Sequence, residues 1–130
     1  MKNGGNGIWP AHCVAGEPGA EFHPDLKLPV DAMVFSKGSD PAGDAYSALC
    51  GTSAASVMHD AGITRLIMCG LATDYCVKNT ALDCLKEGFK VVLVSDGCRA
   101  VNVEPGDEQK ALDELKAAGC EICTLAKVQF

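Results

Sequence analysis

The stretch RLIMCGLATDYC, residues 65–76, decides the fold. Its first half, Arg65–Leu71, is a continuous apolar run, the pattern of a strand buried in a parallel sheet. From Asp74 the period changes. Val77, Ala81, Leu82 and Leu85 fall on one face of a helix expected over Asp74–Glu87, with Gly88 just past its end. The chain therefore leaves a strand, turns, and enters a helix that carries Cys76 in its first turn.

The same alternation extends in both directions. Downstream, KVVLVS (Lys90–Ser95) reads as a second buried strand, and Pro105–Ala118 as a helix with Leu112 and Leu115 facing inward and Gly119 as its stop. Glu121–Leu125 makes a last strand. Upstream, Ala45–Asp60 carries Tyr46, Leu49, Ser53 and Val57 at helical spacing and is closed by Gly62, while Ala32–Lys37 reads as a short strand. Residues 1–31 are turn-rich coil. Strands alternating with helices imply an α/β fold, a three-layer αβα arrangement with a mainly parallel sheet and right-handed crossovers. Ligands in such sheets bind beyond the carboxyl ends of the strands. Chemistry is thus expected just after Leu71.

With 130 residues, of which 48% are hydrophobic and 5% aromatic, the chain has room for one domain, 1–130, packed on aliphatic side chains. A net charge of -6 offers no electrostatic footprint for nucleic acid or an anionic membrane and suits a small neutral ligand better. No apolar run approaches the roughly 20 residues that span a bilayer. MKNGGNGIWP lacks the apolar centre of a secretion signal, so a cytoplasmic location is expected. In a reducing compartment the eight cysteines read as free thiols, mostly small packing residues. Cys120 and Cys123 have zinc-knuckle spacing, but no second pair accompanies them and residues three apart on a strand point to opposite faces.

Cys76 stands out by position. Free N–H groups and the positive end of the helix favour a thiolate there, and the same N–H groups can hold the oxyanion formed when a carbonyl is attacked. Asp74 is the N-cap candidate. The competing account makes Cys76 one more buried small residue.

The run Cys69–Val101 (CGLATDYCVKNTALDCLKEGFKVVLVSDGCRAV) resembles the signature of the isochorismatase-like cysteine hydrolases, and within them the nicotinamidase branch. Ile8–Leu26, with its Trp-Pro-x-His-Cys, resembles the metal-side loop of that family, and Lys37–Ala48 its lysine segment. The match covers nearly the whole chain as the C-terminal two-thirds of the family domain. It implies that Cys76 attacks the carboxamide carbon of nicotinamide, releasing ammonia and then nicotinic acid by hydrolysis of a thioester. It further implies that Lys37 steadies the thiolate, that the N–H groups of Ala72 and Cys76 form the oxyanion hole, and that the peptide bond before Ala72 is cis. Trp9 would wall the pyridine pocket, Tyr46 border it or simply pack, and His12 serve as one ligand of a divalent metal, zinc by the family pattern. His23 and His59 read as a turn residue and an exposed helix-end residue.

Two family motifs are absent from these residues: a strand ending in the aspartate that acts as general base, and a strand ending in Asp-x-His that supplies further metal ligands. Loss of a general base typically costs about 10²–10⁴ in rate, so activity from this chain alone is in question. The missing strands would also leave sheet edges unpaired, and a homo-oligomer is expected. Two alternatives stay open: an impaired homologue that binds a pyridine-like ligand or a partner chain, and a related cysteine hydrolase with another substrate.

Overall fold

The structure, a computed structural model, describes residues 10–39 and 45–130. Three parallel strands form the sheet: β1 (Arg65–Leu71), β2 (Lys90–Arg99) and β3 (Glu121–Cys123), in the order β1-β2-β3. Helix α1 (Ala54–Asp60) precedes β1. Helices α2 (Lys78–Lys86) and α3 (Asp107–Ala117) are the crossovers from β1 to β2 and from β2 to β3. This is the expected α/β architecture, a parallel sheet flanked by helices.

The helices stop where their glycines allow. After α2, Gly88 adopts φ 90° and Phe89 N–H donates to Cys84 C=O at 3.0 Å, which satisfies a carbonyl the helix would otherwise leave orphaned. After α3, Gly119 at φ 96° repeats the closure, with Cys120 N–H on Leu115 C=O at 2.9 Å.

The core lies between the sheet and the helices. Val77, Ala81 and Cys84 line one face of the helix after Cys76 and meet Val91 and Leu93 of β2 and Leu115 of α3. Leu93 and Leu115 are fully buried. Burial in β1 alternates: Leu66 and Met68 pack against this core, whereas Ile67 and Leu71 are exposed. The continuous apolar run thus predicted burial on both faces, and the described residues cover only one. Near its end β1 shifts register against β2 between Met68 and Gly70. There a Cβ on Gly97 would fall 2.9 Å from the Cys69 Cβ, so the bulge requires glycine.

Other expectations are corrected. Ala32–Lys37 pairs with no strand, and Met33, Val34 and Phe35 are exposed. An extended segment becomes a strand only when a neighbour takes its backbone hydrogen bonds, and no described strand lies beside it. The helix expected over Ala45–Asp60 is shortened to α1, with turns over residues 47–53 where Gly51 takes φ 68°. Strand β2 runs to Arg99, four residues past the expected end at Ser95, and the third strand stops at Cys123 rather than Leu125. Among the described residues, no helix is long and apolar enough to cross a membrane.

All eight cysteines are free thiols. Cys84, Cys98 and Cys120 are buried packing residues, but Cys69, expected inside, is exposed because it lies on the uncovered side of β1. Burial first, then the nearby Asp83 and Glu87 carboxylates, push the Cys84 thiol up to about 11. Burial likewise raises Cys98 and Cys120. An unfolded thiol titrates at about 8.5, so above that pH the folded state holds protons the unfolded state has lost. The stabilisation is fully present below about pH 8.5 and is lost as pH rises toward 11. The guanidinium midpoint is expected to stay level from pH 7 to about 8.5 and to fall steadily above it, with a shallower fall in Cys84→Ala.

Candidate active site

Beyond Leu71 the backbone makes the turn that presents Cys76. Gly70 takes φ 135°, and the Leu71–Ala72 peptide bond is cis. Residues Thr73–Val77 then form a π turn that runs directly into α2. The Ala72 carbonyl accepts from Tyr75 N–H at 3.1 Å and from Val77 N–H at 3.0 Å, the second being the five-residue reach of a π turn. Such single widened turns often sit at functional sites because they re-aim side chains.

Asp74 does not cap this turn. It is buried, and its carboxylate accepts from Val101 N–H at 3.0 Å and Asn102 N–H at 2.8 Å in the connection after β2. The N-cap expectation is therefore corrected: the carboxylate satisfies donors of another segment, where charge-assisted bonds offset its burial. Thr73 Oγ1 donates to Glu108 at 3.1 Å, adding a second tie to α3. These two contacts join residues far apart in sequence and leave no local motif.

The structure brings Lys37 and Cys76 together. Lys37 Nζ lies 3.4 Å from Cys76 Sγ and donates to the Ala45 carbonyl at 2.7 Å. Cys76 is half-buried and so remains open to a reactant, unlike Cys84 or Cys98. A cationic side chain beside a half-exposed cysteine sulfur is the setting of a reactive cysteine rather than of a packing thiol. The arrangement suits attack on a carbonyl carbon.

Tyr46 sits beside the nucleophile turn, its ring 5.7 Å from Tyr75 and tilted by 40°. Burial, followed by Asp74, Asp107 and Tyr46, raises the Tyr75 phenol, which stays neutral at physiological pH. Trp9 lies outside the described residues. Ala72 is half-buried at the turn itself.

His12 is exposed and its Nδ1 donates to the Pro10 carbonyl at 2.7 Å. A catalytic zinc normally takes three protein ligands. Among the described residues no three His, Cys, Asp or Glu side chains converge enough to hold an ion, so by themselves they do not fit a metal centre. His23 accepts from Asp25 N–H within its turn, and His59 stacks on Phe89 with centroids 4.5 Å apart while lying 3.5 Å from Glu87. Both are structural.

Two residues of the site went unread in the sequence. Thr80 Oγ1 donates to the Cys76 carbonyl at 2.7 Å, and Asn79 Nδ2 to the Tyr75 carbonyl at 2.7 Å. Their spacing of four residues from Cys76 and Tyr75 was the available signal.

Comparison with known proteins places this geometry. Residues 3–127 match the isochorismatase domain. The chain is 47% identical over 125 residues to the nicotinamidase of Escherichia coli (strain K12), covering 92% of this chain and 59% of that protein. It is 34% identical over 119 residues to the nicotinamidase/pyrazinamidase of Mycobacterium tuberculosis, covering 88% and 62%. Among solved structures, the pyrazinamidase of Pyrococcus horikoshii in complex with zinc superposes with a TM-score of 0.83 at 44% identity, over 90% of this chain and 63% of that one. The PnC1 protein from L. infantum in complex with nicotinate gives 0.86 at 36% identity, over 93% and 63%. The chain thus spans less than two-thirds of the length of these relatives, and its sheet and helices match the α/β/α hydrolase fold they share. On the domain match and these identities, the chain belongs to the isochorismatase family.

Proposed function

We propose that this chain is a nicotinamidase-type amidohydrolase with an impaired site: it presents the nucleophile and its lysine, while the general base and most metal ligands are not supplied by its described residues. The contact of Lys37 Nζ with Cys76 Sγ at 3.4 Å carries the reading. Relatives that act on, or are solved with, pyridine compounds support nicotinamide as the substrate. In this reading Cys76 Sγ attacks the carboxamide carbon, and the amide N–H groups of Ala72 and Cys76 hold the resulting oxyanion. The Cys76 thiol proton passes to the amide nitrogen, the carbon–nitrogen bond breaks and ammonia departs, and water then cleaves the thioester to nicotinic acid and the free thiol. Trp9 and Tyr46 border the ring.

The impairment is inferred from the same surroundings. Among the described residues no Asp or Glu side chain hydrogen-bonds to Cys76 or Lys37. His12 would be one ligand of a zinc site that needs others, as the zinc-bound relative suggests. Residues 1–130 act as one domain in the cytoplasm, and β1, at the edge of the sheet, offers backbone for a homo-oligomer.

Ammonia release from nicotinamide, assayed for the wild-type chain against Cys76→Ala, tests this. A slow release that the variant lacks supports the reading. Equal rates in the two remove nicotinamide hydrolysis and leave a homologue that binds a pyridine-like ligand or a partner chain, or a related cysteine hydrolase with another substrate.

A further inference from the structure

Lys37 and Cys76 are 39 residues apart in sequence, and their approach needs a connection that holds the lysine segment against α2. One hydroxyl spans that gap. Thr80 Oγ1 accepts from Ala48 N–H at 2.9 Å and donates to the Cys76 carbonyl at 2.7 Å. Ala48 follows Ala45, whose carbonyl takes the Lys37 ammonium at 2.7 Å. The contacts therefore close a ring: Lys37 to Ala45, along the chain to Ala48, through Thr80 to Cys76, and across 3.4 Å back to Lys37.

We propose that Thr80 is a positioning residue of the site, its hydroxyl setting the separation of Cys76 Sγ and Lys37 Nζ by tying the lysine segment to the carbonyl of the nucleophile. This rests on the reading that the Cys76–Lys37 pair is the reactive centre. A threonine in a helix commonly bonds the carbonyl four residues back, which alone would be a local matter. The second bond makes the difference. Its donor comes from a different segment, 32 residues away, so the hydroxyl is shared between the two strands of chain that carry the reacting pair. The Ala48 N–H has no other place in regular structure, since residues 48–50 form only turns. A methyl in place of the hydroxyl would leave that amide without its partner and let the segment move. Displacements of about 1 Å at a reacting group can cost up to about a hundredfold in rate.

The test is alkylation of Cys76 by iodoacetamide in the full chain at pH 7, followed by peptide mass spectrometry. Thr80→Val keeps the side-chain shape and removes both bonds. It is expected to slow Cys76 alkylation about fivefold. Thr80→Ser, which keeps the hydroxyl, is expected to restore the wild-type rate to within about twofold. Cys84, buried in the core, reports folding: it must stay unlabelled in each variant. Should Thr80→Val label Cys84, Thr80→Ala replaces it, with a deficit of the same sign expected. A folded Thr80→Val or Thr80→Ala that alkylates Cys76 at the wild-type rate overturns the proposal, as does a deficit that Thr80→Ser does not relieve. Lys37→Met separates this from the parent reading. If that variant leaves Cys76 reactivity unchanged, the reactive pair itself is wrong; if it slows Cys76 while Thr80→Val does not, only the role of Thr80 falls.

Discussion

Replacing Lys37 by Met is expected to lower the rate of Cys76 alkylation at pH 7 by about tenfold. Two unit charges about 4 Å apart attract by ~4 kcal/mol at an effective dielectric of about 20. The pair here is 3.4 Å apart but only half-buried, so solvent removes much of that attraction. Methionine preserves the length and most of the apolar stem of lysine, so the comparison isolates the charge. The opposing expectation treats Lys37 as a surface residue whose partner is the Ala45 carbonyl. In that case Met would leave Cys76 unchanged at every pH, and the pair would have no chemical meaning. Raised salt separates the two again: it should weaken the wild-type advantage and leave Lys37→Met unaffected.

The legible part of the fold was what local periodicity specifies. The helix after Cys76 and the helix closed by Gly119 carry a repeat, and the strands at Arg65 and Lys90 an apolar run, in their own residues; all four form, although the α-helix after Cys76 starts only at Lys78 and the strand at Lys90 runs on to Arg99. Ala32–Lys37 has a strand-like composition too, yet it stays unpaired, because a strand depends on a neighbour that its own residues do not encode. Ile67 and Leu71 failed for a related reason. An apolar run says that burial is suitable, not that a covering layer is present on both faces.

At the site, Cys76 was readable from the strand-to-helix turn, whereas Lys37 was placed by resemblance alone. No spacing rule joins position 37 to position 76; their contact is made by the docking of the 45–50 segment on α2. Asp74 shows the limit most clearly. Its place at the head of a helix predicts a cap, but a carboxylate goes to the donors in greatest need, and the amides of Val101 and Asn102 come from outside the local window.

Leu115→Ala is expected to destabilise the chain by about 2–5 kcal/mol, the largest effect among single changes in the core. Leu115 of α3 is fully buried, and it packs in one cluster with Leu93, Val91 and Cys84. Its own carbonyl accepts the Cys120 N–H that closes α3, so the backbone around it is held and cannot collapse inward to fill the space. A cavity that does not relax costs both the lost transfer energy and the lost contacts of its lining. Small domains have only about 5–15 kcal/mol of stability in all, so this one change removes a large share. The urea midpoint should fall with an unchanged slope, since the surface exposed on unfolding is nearly the same. Ile67→Ala provides the contrast. Ile67 is 38% exposed on the uncovered side of β1, and its truncation should shift the midpoint by well under half as much as Leu115→Ala. If the two substitutions cost the same, Ile67 is covered in solution.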